Sequence, residues 1–347
     1  MSEIIHQATL TSKKFLITPP ESSISKDSQS RDNRFAFLDI LRFVASFIVV
    51  FSHLTTPNIS EKFPFFLEGM SGVLIFFLIS GYIIPHAILR SHNIKNFLIK
   101  RCIRIFPLLI ITAIYGLIRF SDGTIKMENI LSIISGLLLP IADFIRAPYV
   151  ANEVDWTLRL EFIFYILIAI IYFKNKFNFK SINFFIIFIS ILYILNCIDG
   201  AKYFDHRFIL LNFILLGSLL YLIEKENFGN FKNILFTLFA FIFSICVFDL
   251  LTINKFNFAI VAIFSSIFFI IFYAIHQTKF RIKSNKFITI LGDISYPSYL
   301  LHQMIYRDLY NLSNSHIATS IIFILICFLV YIFIEKPIIN WLKKYSN

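Results

Sequence analysis

The sequence predicts an all-α polytopic membrane protein of about ten transmembrane helices plus one re-entrant or surface segment, with both termini cytoplasmic. Composition gives the first reason. Of 347 residues, 57% are hydrophobic and only 15% charged, with a mean hydropathy of +0.75. Soluble domains carry about 25% charged residues, so the solvent for this chain is lipid. The second reason is a run of eleven apolar stretches, near 36–55, 72–89, 103–119, 130–145, 156–173, 181–198, 208–223, 233–251, 258–275, 291–306 and 317–334. Most approach the ~20 residues that cross hydrocarbon as a helix. The third is where the basic residues fall. The connections 90–104 (Arg90, Lys95, Lys100, Arg101, Arg104), 174–180 (Lys174, Lys176, Lys180) and 276–286 (Lys279, Arg281, Lys283, Lys286) hold no acid. They and the C-terminus with Lys336, Lys343 and Lys344 are expected on the cytoplasmic side.

The elements follow in order. Residues 1–34 are polar and Ser/Lys-rich without an apolar signal core, and are expected as a disordered cytoplasmic tail. Residues 35–342 form the hydrophobic body, and 343–347 a cytoplasmic end. The stretch 130–145 is short, contains Gly136 and Pro140, and is followed by Asp143. If it crossed the membrane, 174–180 would fall outside. It is therefore expected to re-enter or lie on the surface, within an outer excursion over about 120–155. Irregular backbone at membrane depth needs protein or a watery cavity around it. The stretches 208–223 and 291–306 need their polar flanks to complete a crossing. The 44 Phe read mostly as lipid-facing bulk.

The net charge of +11 is explained by the cytoplasmic loops, so no nucleic-acid partner is expected. The four cysteines are scattered, with no CxxC or metal-ligand spacing, and no metal is expected.

Several polar groups interrupt the apolar runs, and such groups usually face a polar cavity and mark function. In the first run Arg42 and His53 are eleven residues apart, on nearly one helix face, with Asp39 a turn before Arg42. Trp156, Arg159 and Glu161 open the fifth apolar stretch, and His302 lies in the tenth. With alternating crossings, His53, Glu161 and His302 are expected to converge on an outer cavity. Arg42, Arg101 and Arg104 are expected to line an inner one. Each has a plainer alternative. In those alternatives Trp156 anchors at the interface, Arg101 and Arg104 only set topology, the two histidines contact headgroups, and Asp39 and Arg42 simply pair at i,i+3.

Six blocks in order resemble the acyltransferase-3 family of membrane acyltransferases. They are Leu38-Asp39-Ile40-Leu41-Arg42 with His53 eleven residues on, Gly72-Val73 through Phe76-Phe77 to Ser80-Gly81, and Arg101-Cys102-Ile103-Arg104 with Pro107. They continue with Trp156-Thr157-Leu158-Arg159-Leu160-Glu161 to Phe164-Tyr165, Ile294-Ser295-Tyr296 through Tyr299 to His302, and Ile334-Glu335-Lys336-Pro337. Together they span about 34–342. The chain departs from the family's pattern at Arg159, often acidic in relatives, at Pro297, and at Lys100, where many relatives carry another Arg.

The resemblance implies an integral membrane O-acyltransferase of the bacterial inner membrane, similar to the stand-alone O-antigen and exopolysaccharide acetylases. It implies acetyl-CoA, or another acyl-CoA, as donor and a hydroxyl of an envelope glycan or lipid-linked oligosaccharide as acceptor. On these blocks, His53 is the expected general base or transient acyl carrier, with Arg42 and Glu161 beside it. Arg101, Arg104 and Arg42 are expected to hold CoA phosphates, because guanidinium forks match phosphate oxygens. Asp39, Ser80, Trp156, Tyr296 and His302 complete the candidate site. A secondary transporter, or a polysaccharide flippase or polymerase, is the rival class; a transporter normally shows paired broken helices in related halves, and none is visible here.

Overall fold

A computed structural model describes residues 21–54, 69–120, 127–139, 141–142, 145, 147–149, 154–174, 176–198, 206–225, 231–251, 258–277, 282 and 285–344. Among these the chain is all-helical. The helices are α1 (Glu21–Leu54), α2 (Met70–Leu89), α3 (Ile94–Phe120), α4 (Met127–Leu137), α5 (Trp156–Phe173), α6 (Phe179–Ile198), α7 (Leu211–Lys225), α8 (Phe231–Leu251), α9 (Phe258–Gln277), α10 (Lys286–Leu301), α11 (Arg307–Ser313), α12 (His316–Val330) and α13 (Lys336–Lys344). A 3₁₀ turn, His206–Leu210, leads into α7. Wide π-turns at His302–Tyr306 and Tyr331–Glu335 join α10 to α11 and α12 to α13.

Six segments among the described residues are long and apolar enough to cross a membrane: Ala36–His53, Met70–Leu89, Trp156–Phe173, Phe179–Ile198, Arg207–Lys225 and His316–Leu342. The protein is therefore multi-pass. Helix α3 has 27 residues, about 40 Å at the usual rise, with Lys100, Arg101 and Arg104 in its first half. Arg207 and Lys225 are the polar flanks that complete the crossing around 208–223.

Three boundaries differ from the sequence reading. Helix α1 begins at Glu21, inside the expected tail; residues 1–20 lie outside the described residues. Lys95, Lys100, Arg101 and Arg104 do not form a loop; they lie on the first three turns of α3. The segment near 130–145 holds α4, which ends at Leu137 after 11 residues. That is about 16 Å, roughly half the hydrocarbon thickness. Pro140, Asp143, Lys279, Arg281 and Lys283 lie outside the described residues.

Helix α2 is the hub. It packs on α7 and α1 most extensively, then on α9 and α5. Small residues allow this. A Cβ placed on Gly81 would stand 1.7 Å from the Ile214 carbonyl oxygen, and one on Gly217 2.3 Å from that of Leu78. The backbones of α2 and α7 thus touch where both chains lack side chains, as is usual for helices in lipid. Ser218 Oγ donates to the Gly81 carbonyl at 3.0 Å across the same contact. On the other side, a Cβ on Gly72 would stand 2.4 Å from the Ala45 carbonyl, which seats α1 against α2. Asn212 Nδ2 donates to Ser190 Oγ (2.9 Å) and Ser244 Oγ (3.1 Å), tying α6, α7 and α8 together in the core.

The phenylalanines are not only lipid-facing. Phe37, Phe97, Phe164, Phe213 and Phe269 are fully buried, whereas Phe184, Phe188, Ile191 and Leu195 form an outward stripe on α6 at helical spacing. Helices α10 and α12 start on side-chain caps: Asn285 Oδ1 accepts from Ile288 N at 2.8 Å and Ser315 Oγ from Ala318 N at 3.4 Å.

Candidate active site

The polar residues of α1, α2, α3, α5 and α10 meet in one place. A cavity of about 110 Å³ is lined by Arg42, Ser80, Arg101, Arg104, Glu161 and Tyr165, with Thr157, Tyr296, Tyr299 and apolar neighbours closing it. Helical periodicity places them. Arg101 and Arg104 are i,i+3 on α3, and Glu161 and Tyr165 are i,i+4 on α5, so each pair shares a face.

The three guanidiniums are held differently. Arg42 pairs with Asp39 at 3.7 Å, so their plain i,i+3 reading holds while Arg42 still lines the cavity. A Cβ on Gly292 would stand 2.6 Å from Asp39 Cβ, so the small residue on α10 makes room for this acid. Arg104 is exposed and also borders a small pocket with Glu335. Arg101 is half-buried, with its guanidinium carbon 5.5 Å from the Phe97 ring centre and 5.9 Å from that of Tyr165. Its Nε is buried without a hydrogen-bond partner. Such a donor has unused bonding capacity.

Glu161 stands among these cations, its carboxylate accepting a short hydrogen bond from Ser80 Oγ. It therefore belongs with the arginines rather than with the histidines, as the sequence reading had placed it. Ser80 contributes a hydroxyl to the cavity while its neighbour Gly81 supplies the close approach to α7. Tyr296 lines the cavity and donates its hydroxyl to the Ile105 carbonyl at 2.9 Å, linking α10 to α3.

The two histidines come together next door. The rings of His53 and His302 lie edge to face, with centroids 4.9 Å apart. His53 is exposed, and its Nδ1–H donates to the Val49 carbonyl at 2.8 Å. A carbonyl can only accept, so this contact puts a proton on Nδ1, and in the neutral ring Nε2 is the acceptor. Gly69, at φ +71°, passes close by; a Cβ there would stand 3.4 Å from His53 Cε1 and 2.8 Å from Ser52 Oγ. His302 is 2% exposed. Its Nδ1–H donates to the Tyr299 carbonyl at 2.6 Å. Tyr299 separates the histidines from the arginine cavity. Its ring lines the cavity against Phe76, and its hydroxyl bonds Thr157 Oγ1 at 2.8 Å and the Val154 carbonyl at 3.2 Å.

Trp156 is half-buried, edge-on to Phe77 at 6.2 Å and under the Arg207 guanidinium at 5.0 Å. It supports the cavity wall from behind and does not line it. Tyr165, Tyr299, Thr157 and Arg159 were not among the predicted site residues. Tyr165 was findable as the i+4 neighbour of Glu161 and Tyr299 as the i−3 neighbour of His302. Arg159 binds main-chain atoms of the segment before α5: one terminal guanidinium nitrogen donates to the Ala147 carbonyl (3.1 Å) and the other to that of Pro148 (2.6 Å), with Asp155 Oδ2 at 3.3 Å. No side-chain pattern announces such a role.

A multi-pass helical protein that gathers arginines, a carboxylate and a histidine pair between its helices has the layout of a membrane-embedded transferase. Residues 35–334 match the acyltransferase domain family, and the chain belongs to it. It is 34% identical over 154 residues to an O-acetyl transferase of Shigella phage Sf6, covering 40% of this chain and 46% of that one. It is 30% identical over 152 residues to nodulation protein 10 of Rhizobium leguminosarum bv. viciae, covering 37% and 41%. The chain thus matches less than half the length of each relative. No solved structure matches it.

Proposed function

We propose that the protein is an O-acyltransferase of the bacterial inner membrane, with both termini cytoplasmic. It moves an acetyl group from acetyl-CoA to a hydroxyl of a cell-envelope or secreted polysaccharide. The observation that carries this reading is the meeting of Arg42, Arg101, Arg104 and Glu161 in one cavity, with the His53–His302 pair beyond its Tyr299 wall. Family membership and the name of the phage relative support the same chemistry.

A sugar hydroxyl is a weak nucleophile at neutral pH, and a positioned base is typically worth about 10²–10⁴ in rate. In the neutral ring, Nε2 of exposed His53 takes the hydroxyl proton as the oxygen attacks the thioester carbonyl. The carbon–sulfur bond breaks, and the CoA thiolate leaves and takes up a proton. Arg101, with its unpartnered Nε, and Arg104 at the rim hold donor phosphates. Arg42, steadied by Asp39, lines the same cavity and joins them on the phosphates. Glu161, fixed by Ser80, balances the cations and orients them.

The test is the mass of envelope glycans from a deletion strain carrying wild-type chain or His53→Ala. Loss of an acetyl mass, restored by wild type alone, supports the reading. Restoration by His53→Ala removes His53 from the mechanism. Absence of any glycan acetyl change, with no acetyl transfer from labelled acetyl-CoA in membranes, returns the transporter and flippase classes.

A further inference from the structure

His302 carries a feature that the mechanism above does not use. Its Nε2 is buried and has no hydrogen-bond partner, while the ring is 2% exposed. Nδ1–H is spent on the Tyr299 carbonyl of its own helix. Nε2 lies across the ring from Nδ1, so it turns away from α10. The ring it meets is that of His53, 4.9 Å away, whose own Nδ1–H is spent on the Val49 carbonyl. The π-turn beginning at His302 widens the helix where this ring leaves it, and such turns recur at functional sites. In the neutral form each ring, its Nδ1–H spent on a carbonyl, offers Nε2 only as an acceptor, so neither nitrogen then has a proton to give the other.

A site with two acceptors wants two donors. One water supplies both. One alcohol, displacing that water, supplies a single O–H and strands a nitrogen, and a stranded buried acceptor is costly. Two adjacent hydroxyls on a sugar ring supply both donors again. We propose that His302 is a positioning residue that selects the acceptor: its Nε2 binds the hydroxyl next to the one His53 deprotonates, so the sugar enters as a vicinal diol. This rests on the acyl-transfer reading above. The tautomer set by Tyr299 makes the nitrogen an acceptor, so the group it selects is an O–H and not an ether or an already acylated oxygen.

The experiment uses full-length chain in the deletion strain, as wild type, His302→Asn and His302→Gln. Asn keeps an N–H near the Nδ1 position and deletes Nε2; the Gln carbonyl reaches toward the Nε2 position. The acetylated carbon of the wild-type glycan is mapped by NMR, and glycan acetyl, free acetate and acetyl-CoA affinity are measured for each chain. The expected result is acetyl on a ring hydroxyl that has a free hydroxyl neighbour. Acetyl should fall about 10- to 100-fold in the Asn chain, with donor affinity within about twofold, and Gln should recover much of it. Free acetate rising as glycan acetyl falls identifies water as the group left in the site. Acetyl on a primary hydroxyl without a hydroxyl neighbour overturns the proposal, as does an Asn chain equal to wild type or a Gln chain no better than Asn. Should the Asn chain fail to accumulate, His302→Met, apolar and of similar volume, replaces it. Wild type that acetylates no glycan removes the acyl-transfer reading itself and this proposal with it.

Discussion

Ser80 on α2 donates its hydroxyl hydrogen to the Glu161 carboxylate on α5. The bond crosses the cavity and sets where the one carboxylate among its lining residues points toward the arginines. Hydrogen bonds to charged groups contribute about 1.5–3 kcal/mol. Ser80→Ala leaves the carboxylate free to swing onto an arginine. The expected result is a fall in glycan acetylation of about 10- to 100-fold with membrane abundance unchanged, and Ser80→Thr, which keeps the hydroxyl, should lose less. Equal activity in all three chains would detach this bond from function.

Arg101 offers a buried, unpartnered Nε, whereas Arg42 already has Asp39 and Arg104 has Glu335 at its side pocket. Arg101 should therefore dominate donor binding. Arg101→Ala is expected to weaken acetyl-CoA about 10- to 100-fold, measured by titration of the purified protein in nanodiscs. Arg101→Lys should recover only part, because an ammonium has no planar fork. An affinity unchanged in Arg101→Ala would return this residue to a topology signal alone.

Much of this arrangement was legible in the sequence, for a physical reason. A charge in an apolar helix is costly, so Arg42, His53, Glu161 and His302 stood out individually before any fold was known. The i,i+3 spacing of Arg101 and Arg104 also announced a shared face, although the basic run disguised their helix as a loop. What could not be read was which helices become neighbours. Glu161 was assigned to the histidines because both were expected toward the outer side, but the α2–α5 contact that brings Ser80 to it puts it among the arginines. Arg159 was opaque for another reason: two of its partners are main-chain carbonyls, which every residue has.

Gly81 and Gly292 make contrasting predictions. At Gly81 the obstruction is backbone, the Ile214 carbonyl 1.7 Å from a new Cβ, and neither helix can yield without parting. Gly81→Ala should lower thermal stability in detergent sharply, beyond the ~1–3 kcal/mol usual for overpacking. At Gly292 the obstruction is Asp39, its Cβ 2.6 Å and its Oδ1 2.7 Å from a new Cβ; rotation moves the carboxylate but not the Cβ, so α1 and α10 must also shift apart. Gly292→Ala should cost less stability than Gly81→Ala but disturb the Asp39–Arg42 pair and slow transfer. Similar melting temperatures for the two variants would contradict this reading of the α2–α7 contact.

Asp308 on α11 accepts two bonds from Arg119 at 2.9 Å each and one from Tyr115 at 2.7 Å, tying the ends of α3 and α11. The hydrogen bond from Arg119 comes first in holding this carboxyl below its ordinary value of 3.8. A depressed carboxylate stabilises the fold above its unfolded pKa, and the contribution disappears as pH falls through the folded one. The melting-temperature gap between wild type and Asp308→Asn should thus be small and constant from neutral pH to about 5, then close below 3.8. A gap that persists unchanged into that acid range would mean the tether acts by packing and not by charge.

Arg159 and Asp155 are buried together, 1% and 0% exposed. Arg159 also joins α5 to the carbonyls of Ala147 and Pro148. Breaking a buried pair by removing one partner costs about 3–5 kcal/mol, whereas replacing both can be nearly neutral. Arg159→Met alone should therefore destabilise strongly and make the backbone at Ala147 and Pro148 more open to protease added to the purified protein. Arg159→Met with Asp155→Asn should recover stability yet remain cleavable, because the bonds to 147 and 148 are still gone. Recovery of both properties would show that the ion pair alone holds this segment down, and that the carbonyl contacts follow from it.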